Sequence, residues 1–332
     1  MGRDALISRI ECLVAQRVPG SRPAVQELRQ LSGGLSRGTW RLQLRMTGEA
    51  GDRTDLDLVL QQLPESGLLE SDLAAEFVLL SMLAHTSVPA ARPYWLDGDG
   101  SILGSPGLLT GFLEGDCDPF ILSGSGSLES KVDLAERLMS LLASLVNVDA
   151  SVLVSAGALK DPGNDAPRVA VEEWTERHES VRLEANPELA LIRGWLLDRA
   201  PGAPRRVLVH GDFKPGNVLI HDHEVAALLD WETAHLGSPL EDLGWVTNPV
   251  RRSEHQIQGH WEVPQMIKAF EHHTGIVVDP DELRWWNIFS CYKLAVIVHA
   301  GVHGYLTGGR PDLHHPPTWL YRAMFTMIRE AS

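Results

Sequence analysis

The chain has 332 residues, of which 44% are hydrophobic, so it is long enough for one large domain or two lobes with full cores. Its 29 basic and 44 acidic residues give a formal charge of −15, the opposite of the basic surface that nucleic acid or an anionic membrane selects. Cys12, Cys117 and Cys291 form no paired framework, and no apolar run reaches the about 20 residues of a membrane helix. We therefore expect a soluble cytoplasmic protein without nucleic-acid or membrane partners.

The first part of the chain has the pattern of a small β-rich lobe behind a helical lead-in. Residues 1–30 carry apolar side chains at helical spacing, interrupted by a proline-bearing turn, which predicts the lead-in. Alternating apolar and polar residues over 40–46 predict a strand, and the run over 56–63 predicts its hairpin partner. The remaining predicted elements are a helix over 70–84 and short strands around 94–95 and 108–112.

Periodicity is lost over 114–130, where the chain becomes rich in glycine and serine, and this predicts a domain boundary. Helical patterns follow over 129–147 and 170–199, then two short apolar runs, and helices dominate from about 264 onward. We predict an N-terminal lobe over 1–113 and a larger, mainly helical lobe over 114–332. The predicted fold class is α+β.

The second lobe contains a group of oxygen-bearing side chains at the ends of its two short apolar runs. His210-Gly211-Asp212 is followed five residues later by Asn217, and Asp230-Trp231-Glu232 ends the second run. Strand ends placed side by side would let Asp212, Asn217 and Asp230 converge. Magnesium prefers oxygen ligands of this kind, supplemented by substrate phosphates, so the set suits phosphoryl transfer.

The spacing HGDxxxxN followed by a hairpin and DWE resembles the aminoglycoside phosphotransferase and choline kinase branch of the protein-kinase-like fold. The turn SGGLSRGTW is similar to that family's first nucleotide loop, and GFLEGD is similar to its inter-lobe hinge. The run HLGSPLEDLGW is similar to a subgroup whose members include phosphotransferase domains fused to acyl-CoA dehydrogenases. The resemblance covers about residues 28–310.

This resemblance implies a bilobal kinase-like fold that holds ATP or GTP between the lobes and transfers its γ-phosphate to a hydroxyl of a small molecule. Asp212 would be the catalytic base, and Asn217 and Asp230 would bind Mg²⁺. His210 would brace the loop, and Asp242 would anchor it by accepting backbone N–H bonds. The nucleotide-binding residues that the resemblance implies are Ser32, Gly33, Gly34, Ser36, Gln61, Glu76, Thr110 and Phe112.

One position departs from the family pattern. The family's second strand supplies a Lys or Arg that pairs with the helix glutamate, here Glu76, whereas this strand carries Gln61, and no lysine precedes Lys131. With that partner missing, we expect Glu76 to be a structural or idle surface charge. The cations able to compensate are Arg37, Arg41, Arg45 and Lys214. We favour Lys214, two residues after the predicted base, as a further catalytic residue that contacts the γ-phosphate.

Two other functions remain open from the sequence. The missing strand cation allows a pseudokinase-like module that binds nucleotide or a metabolite without transfer. The C-terminal histidines allow a metal-dependent hydrolase, since His299 and His303 are spaced for one helical face, although we expect them to be core or pocket-wall residues. Glu232 is expected to form a surface salt bridge. The acceptor, the choice of ATP or GTP and the oligomeric state cannot be read from the sequence.

Overall fold

The computed structural model describes residues 2–31, 37–64, 72–202, 205–308 and 317–331. The chain divides into two compact units, Met1–Glu114 and Gly115–Ser332. The elements of the first unit are α1 (Arg3–Arg17), β1 (Arg22–Gln30), β2 (Gly38–Thr47), β3 (Arg53–Gln62), α2 (Leu73–Leu83), β4 (Pro93–Asp97) and β5 (Gly107–Gly111). The roles assigned to the two units remain predictions.

The first unit is built on a five-stranded antiparallel sheet in the order β1-β2-β3-β5-β4. Side chains alternate between the two faces of each strand, and one face packs against α1. Leu42, Leu58 and Leu60 on this face are fully buried with Ile10 and Leu13 of the helix. The strands predicted over 40–46, 56–63, 94–95 and 108–112 are confirmed.

The helical prediction for residues 1–30 is right for its first half and wrong for its second. Residues 3–17 form α1, whereas Arg22–Gln30 is the edge strand β1. A β-bulge between Val25 and Glu27 shifts the register of β1 against β2 by one residue. The extra residue places Val25 and Leu28, three positions apart, against the same core, and this spacing imitates a helix.

The second unit is mainly helical and carries two short two-stranded sheets. Its helices are α3 (Leu128–Val146), α4 (Ala150–Ser155), α5 (Ala166–Val181), α6 (Pro187–Asp198), α7 (Glu241–Val246), α8 (Arg252–His255), α9 (Val263–Thr274), α10 (Pro280–Gly308) and α11 (Thr318–Glu330). Its strands are β6 (Val207–Val209), β7 (Val218–His221), β8 (Glu224–Leu228) and β9 (His235–Gly237). Helix α10 crosses the core, where Trp286, Phe289 and Tyr292 are buried.

The helical stretch predicted over 170–199 is two helices. Asn186 ends the connection between them by accepting a hydrogen bond from the Leu189 N–H at 2.9 Å, and Pro187 occupies the first turn of α6. Both residues are strong helix-start signals, because an Asn side chain caps a free N–H and proline there has no N–H to satisfy. The helix predicted over 129–147 is confirmed as α3.

Strands β7 and β8 form a tight hairpin that positions the residue after β8. Asp222 and His223 form its two-residue turn, with φ of 48° and 66°. Such a turn matches the twist of the flanking strands. Strand β6 pairs with β9 instead, so the segment 210–217 connects the β6–β9 pair to the β7–β8 hairpin. No helix within the described ranges is both long and apolar enough to cross a membrane.

Candidate active site

The loop over 210–217 carries most of the predicted catalytic residues. It leaves strand β6 at Val209 and enters β7 at Val218 through a short 3₁₀ turn over Pro215–Asn217. The Asn217 N–H donates to the Lys214 carbonyl at 2.9 Å and closes this turn. The turn therefore folds Lys214 and Asn217 back toward Asp212.

Asp242, on α7, holds the start of this loop. Its Oδ2 accepts the His210 N–H at 2.7 Å, and its Oδ1 accepts the Gly211 N–H at 2.9 Å. These are the backbone hydrogen bonds expected of Asp242. Burial raises the pKa of the Asp242 carboxyl, while His210 and the two N–H donors oppose that shift. One buried carboxylate thus fixes two consecutive peptide groups.

The His210 ring braces the loop as a neutral imidazole. Its Nδ1 accepts the Asp212 N–H at 3.2 Å, so its proton lies on Nε2, which is 2.9 Å from the Leu229 carbonyl. Burial lowers the pKa of His210, consistent with this neutral form. The ring links the predicted base to the residue that precedes Asp230.

The Asp212 carboxylate has two neighbours on one of its oxygens. Lys214 Nζ lies 2.5 Å from Asp212 Oδ2, and Asn217 Nδ2 lies 3.1 Å from the same oxygen. Asn217 Nδ2 also donates to the Asp212 carbonyl at 2.9 Å. Both side chains therefore converge on Asp212 Oδ2.

Asp230 is brought next to Asn217 by the backbone. The Leu229 N–H donates to the Asn217 carbonyl at 2.8 Å, while the Leu229 carbonyl faces the His210 ring. Asp230 itself has a φ of 64°, a left-handed conformation that aspartate tolerates better than most residues. These contacts place Asp230 near Asn217, which itself contacts Asp212.

The side chains in this neighbourhood fit a magnesium ion. Asn217 uses its Nδ2 on Asp212, so its Oδ1 is its ligating atom, and Asp230 adds a carboxylate. Oxygen donors of this kind, with substrate phosphates, are the usual environment of Mg²⁺. Among the residues that the structure describes, no group of three or more His, Cys, Asp or Glu is arranged to hold a metal. A magnesium site here therefore needs phosphate or water oxygens to complete it.

The predicted nucleotide-binding residues of the first unit lie on or directly after its sheet strands, on helix α2, or outside the described residues. Ser32, Gly33, Gly34 and Ser36 belong to the second group. Gln61 pairs with Thr39 of β2 and Leu108 of β5, on the sheet face opposite the α1 core. It is half-buried, and it forms part of the ladder between these strands.

Thr110 and Phe112 lie at the end of β5. Thr110 is buried and pairs with Val59 of β3. The Phe112 N–H donates to the Asp57 carbonyl at 2.9 Å. The Arg41 guanidinium lies 3.6 Å from the centroid of the Phe112 ring. Arg41 is therefore occupied by Phe112 and by an ion pair with Asp57, and its charge is directed to these partners.

Of the two roles expected for Glu76, structural or idle, the idle surface charge is wrong, because Glu76 is buried in an ion pair. Arg37 Nη2 lies 2.7 Å from Glu76 Oε2, and Arg37 Nη1 donates to Glu76 Oε1 at 3.1 Å. The two side chains are only 3% and 5% exposed. Sequence reasoning looked for the partner of Glu76 on β3, at Gln61, whereas the chain supplies it from the residue preceding β2. Asp72 caps α2 and fixes the turn that carries Glu76.

Sequence reasoning missed Lys293, which lies on α10 and contacts the 210–217 loop. Its Nζ donates to the Gly211 carbonyl at 2.5 Å, and the residue is 2% exposed. A lysine within the apolar run over 288–298 was the available signal, because lysine is seldom buried without a specific partner. Helical periodicity alone could not show what that partner is.

Of the C-terminal histidines, His299 is engaged in the helical core, whereas His272 and His273 on α9 are exposed, so the expectation of a core or wall position is wrong for those two. His299 Nε2 lies 2.6 Å from the Tyr321 hydroxyl and 3.1 Å from Asn186 Nδ2, and its ring packs edge-on against His178. These contacts agree with the expected core role of His299. His314 and His315 lie outside the described residues.

Comparison with known proteins places this arrangement in a family. The model of the phosphotransferase enzyme family matches residues 27–286. Acyl-CoA dehydrogenase family member 10 of Mus musculus is 30% identical over 323 residues, which cover 92% of this chain and 29% of that protein. The chain thus spans about three tenths of that relative.

Solved structures with the same fold include several phosphotransferases. A protein from Ralstonia eutropha classed as an aminoglycoside phosphotransferase has a TM-score of 0.71 and 21% identity, with 98% and 96% of the two chains covered. A mutant of APH(4)-Ia in ternary complex with AMP-PNP and hygromycin B has a TM-score of 0.60 and 14% identity, covering 97% and 99%. The GDP and kanamycin complex of APH(2″)-IIIa has a TM-score of 0.61 and 15% identity, with 96% of this chain and 97% of that chain covered. These similarities show a kinase-like fold.

Proposed function

This chain belongs to the phosphotransferase enzyme family, and from that membership and the site geometry we propose that it transfers the γ-phosphate of ATP or GTP to a hydroxyl of a small molecule. The observation that carries the proposal is that the loop held by Asp242 brings Asp212 and Asn217 into contact, while a backbone hydrogen bond from Leu229 to Asn217 brings Asp230 next to them. The nucleotide and small-molecule complexes of the solved neighbours support this reaction class.

In the proposed reaction, Asp212 accepts the proton of the acceptor hydroxyl. Lys214 and Asn217 hold Oδ2, so they orient the carboxylate. A fixed carboxylate within hydrogen-bond reach acts as a general base without reorganisation in the transition state. The fixed position of Asp212 therefore supplies much of its contribution to the rate.

Asn217 Oδ1 and Asp230 are the groups that would hold Mg²⁺ on the nucleotide phosphates. When bound, the ion neutralises charge on the phosphate oxygens. The left-handed backbone at Asp230 and the Leu229 contacts hold this carboxylate at the end of β8. The two proposed ligands thus flank the β7–β8 hairpin, Asn217 before β7 and Asp230 after β8.

Two cations complete the proposal. Lys214 lies beside the base, and we propose that it moves onto the transferred phosphoryl group, whose oxygens carry the developing charge. Arg37 replaces the strand cation that Gln61 lacks, because it pairs with Glu76 in the first unit.

Thermal denaturation with ATP and with GTP, each with and without Mg²⁺, tests this function. Nucleotide at about 100 times its dissociation constant stabilises the folded state by about 2.7 kcal/mol, so a shift in the melting temperature is readily seen. We expect the shift in the wild type and its loss in Asp230→Asn. Asparagine also tolerates a positive φ, so this change removes the charge with little backbone strain.

Asp222→Asn is a matched control for Asp230→Asn. Asp222 lies in the same hairpin, also has a positive φ, and its side chain is 91% exposed. This variant should keep the magnesium-dependent shift. Asp212→Ala should bind nucleotide but lose transfer. No shift with either nucleotide contradicts the proposal, and a shift without Asp212-dependent turnover identifies a binding module.

A further inference from the structure

Lys293 is a buried lysine that lies beneath the 210–217 loop. It belongs to α10 and is 2% exposed. Removing an ammonium group from water is costly unless charged or polar partners replace the lost hydration. A lysine at this position therefore needs a structural explanation, which its neighbours provide.

Two indole rings flank the Lys293 ammonium. Nζ lies 4.9 Å from the centroid of Trp174, on α5, and 5.1 Å from that of Trp245, on α7. Both distances are within the range of cation–π attraction, which is strongest for tryptophan. Burial lowers the pKa of Lys293, and the carboxylates of Glu241, Asp212 and Asp242 oppose that shift.

The hydrogen bond from Lys293 ends on the peptide group that leads into the predicted base. Nζ donates to the Gly211 carbonyl. The N–H of the same peptide group belongs to Asp212 and donates to His210 Nδ1 at 3.2 Å. Both ends of the Gly211–Asp212 peptide are therefore held, one by a cation and the other by the imidazole.

The preceding peptide group is held in the same way. Its carbonyl, from His210, accepts the Thr233 hydroxyl at 3.0 Å, and its Gly211 N–H donates to Asp242. Gly211 has a φ of 82°, in the left-handed region that glycine adopts without steric cost. A Cβ at position 211 would approach the Thr233 carbonyl to 2.8 Å, so the site also requires glycine. Lys293 supplies the restraint on the following carbonyl.

We propose that Lys293 is a positioning residue that holds the Gly211–Asp212 peptide in one orientation and thereby directs the Asp212 carboxylate. The inference rests on the proposed function for its catalytic consequence. Its structural part, the restraint of the loop by Lys293, is independent of any activity. The two parts are tested separately.

Hydrogen–deuterium exchange measures the restraint directly. Lys293→Met keeps a long apolar side chain but removes the donor and the charge. We expect the Asp212 amide to exchange about tenfold faster, as the loss of one charge-assisted hydrogen bond predicts. Unchanged exchange over 208–217 overturns the proposal.

Turnover of Mg-ATP with water as acceptor measures the catalytic consequence. We expect Lys293→Met to lower kcat by about 100-fold with KM for Mg-ATP within about twofold, because displacement of a catalytic group affects the transition state more than binding. Lys293→Arg retains a cation between the rings and should recover part of kcat. An unchanged kcat in Lys293→Met overturns the proposal.

Tyr292→Phe is the matched control. Tyr292 neighbours Lys293 on α10, is buried, and loses only a 2.9 Å hydrogen bond to Thr175. It should keep wild-type exchange over 208–217 and wild-type kcat. If Tyr292→Phe raises exchange over 208–217 and lowers kcat as much as Lys293→Met does, the Lys293 effect is general destabilisation and the proposal is overturned.

Two further outcomes remain interpretable. If Lys293→Met does not fold, Trp174→Leu removes one of the rings that hold the ammonium and should raise exchange over 208–217 in the same direction; unchanged exchange overturns the proposal. If the wild type shows neither nucleotide binding nor turnover, the proposed function fails, while faster exchange in Lys293→Met still establishes the restraint.

Discussion

Arg37 and Glu76 form a buried, two-contact ion pair, with 2.7 Å between Arg37 Nη2 and Glu76 Oε2. The pair joins the residue before β2 to the first turn of α2. At Gln61, where the family resemblance expects the partner cation, this chain has a neutral amide. The chain thus keeps a cation for the helix glutamate and supplies it from another position.

Removing Arg37 should therefore lower the unfolding free energy strongly. Arg37→Gln leaves the Glu76 carboxylate buried without its cation, and breaking such a pair costs about 3–5 kcal/mol of unfolding free energy. Arg45→Gln is the control, because its pair with Asp55 is exposed and exposed pairs contribute about 0–1 kcal/mol. Urea denaturation measures both values. Equal costs contradict the assigned importance of the buried pair.

Returning the cation to β3 tests whether the two positions are equivalent. We expect Gln61→Arg in the Arg37→Gln background to recover stability and Mg-ATP binding, measured by denaturation and calorimetry. Gln61→Arg alone, with Arg37 present, should increase neither stability nor Mg-ATP binding above wild type, since Glu76 already has a partner. A double variant no better than Arg37→Gln shows that Arg37 is required at its own position.

Lys214 should matter for turnover far more than an arginine at a surface ion pair. Its ammonium lies 2.5 Å from Asp212 Oδ2, where it can meet a transferred phosphoryl group. We expect Lys214→Ala to lower kcat for Mg-ATP turnover on the order of 100-fold, a magnitude typical of a lost transition-state donor. Arg45→Ala should change kcat by less than about twofold. Similar effects in the two variants contradict this role.

Asp242→Asn should disturb the loop without removing any group that contacts substrate. An asparagine has only one acceptor oxygen, so its NH2 group would face one of the two N–H donors from His210 and Gly211, and that hydrogen bond would be lost. We expect a loss of about 1.5–3 kcal/mol of unfolding free energy and a lower kcat at unchanged nucleotide affinity. Asp281→Asn, at an 87% exposed side chain, is the control. Retention of full kcat contradicts the anchoring role.

His255 should contribute to acid sensitivity. Burial, followed by the charges of Arg251 and Lys214, holds the pKa of His255 well below 6.5. As the pH falls below about 6.5, the unfolded chain binds a proton at this residue and the folded chain does not. The unfolding free energy then falls by about 1.4 kcal/mol per pH unit until the folded pKa is reached.

Replacing His255 should remove this contribution. We expect His255→Gln to reduce the dependence of unfolding free energy on pH between 6.5 and 5.5, measured with urea. The other buried histidines with a lowered pKa, His178, His210 and His299, leave a residual slope. His272→Gln, at an exposed position, should leave the wild-type slope. Identical slopes in His255→Gln and wild type contradict the assignment.

Most of the elements could be predicted from local pattern. Alternation identified β2 and β3, and helical periodicity identified α2 and α3, because these segments each pack one face on a core. One exception is β1, where the bulge between Val25 and Glu27 gave a strand the apolar spacing of a helix. A register shift depends on the partner strand and has no local signature.

The amino-acid sequence by itself determined the family and the kinase-like fold, and it predicted Asp212, Asn217 and Asp230 as site residues, because short-range spacing carries that information. Only the tertiary structure decided which cation meets Glu76 and which side chain holds the Gly211 carbonyl. Arg37 is 39 residues from Glu76, and Lys293 is 82 residues from Gly211. Partners that far apart are selected by packing and by the need to satisfy buried charges and carbonyls, which no pattern along the chain expresses.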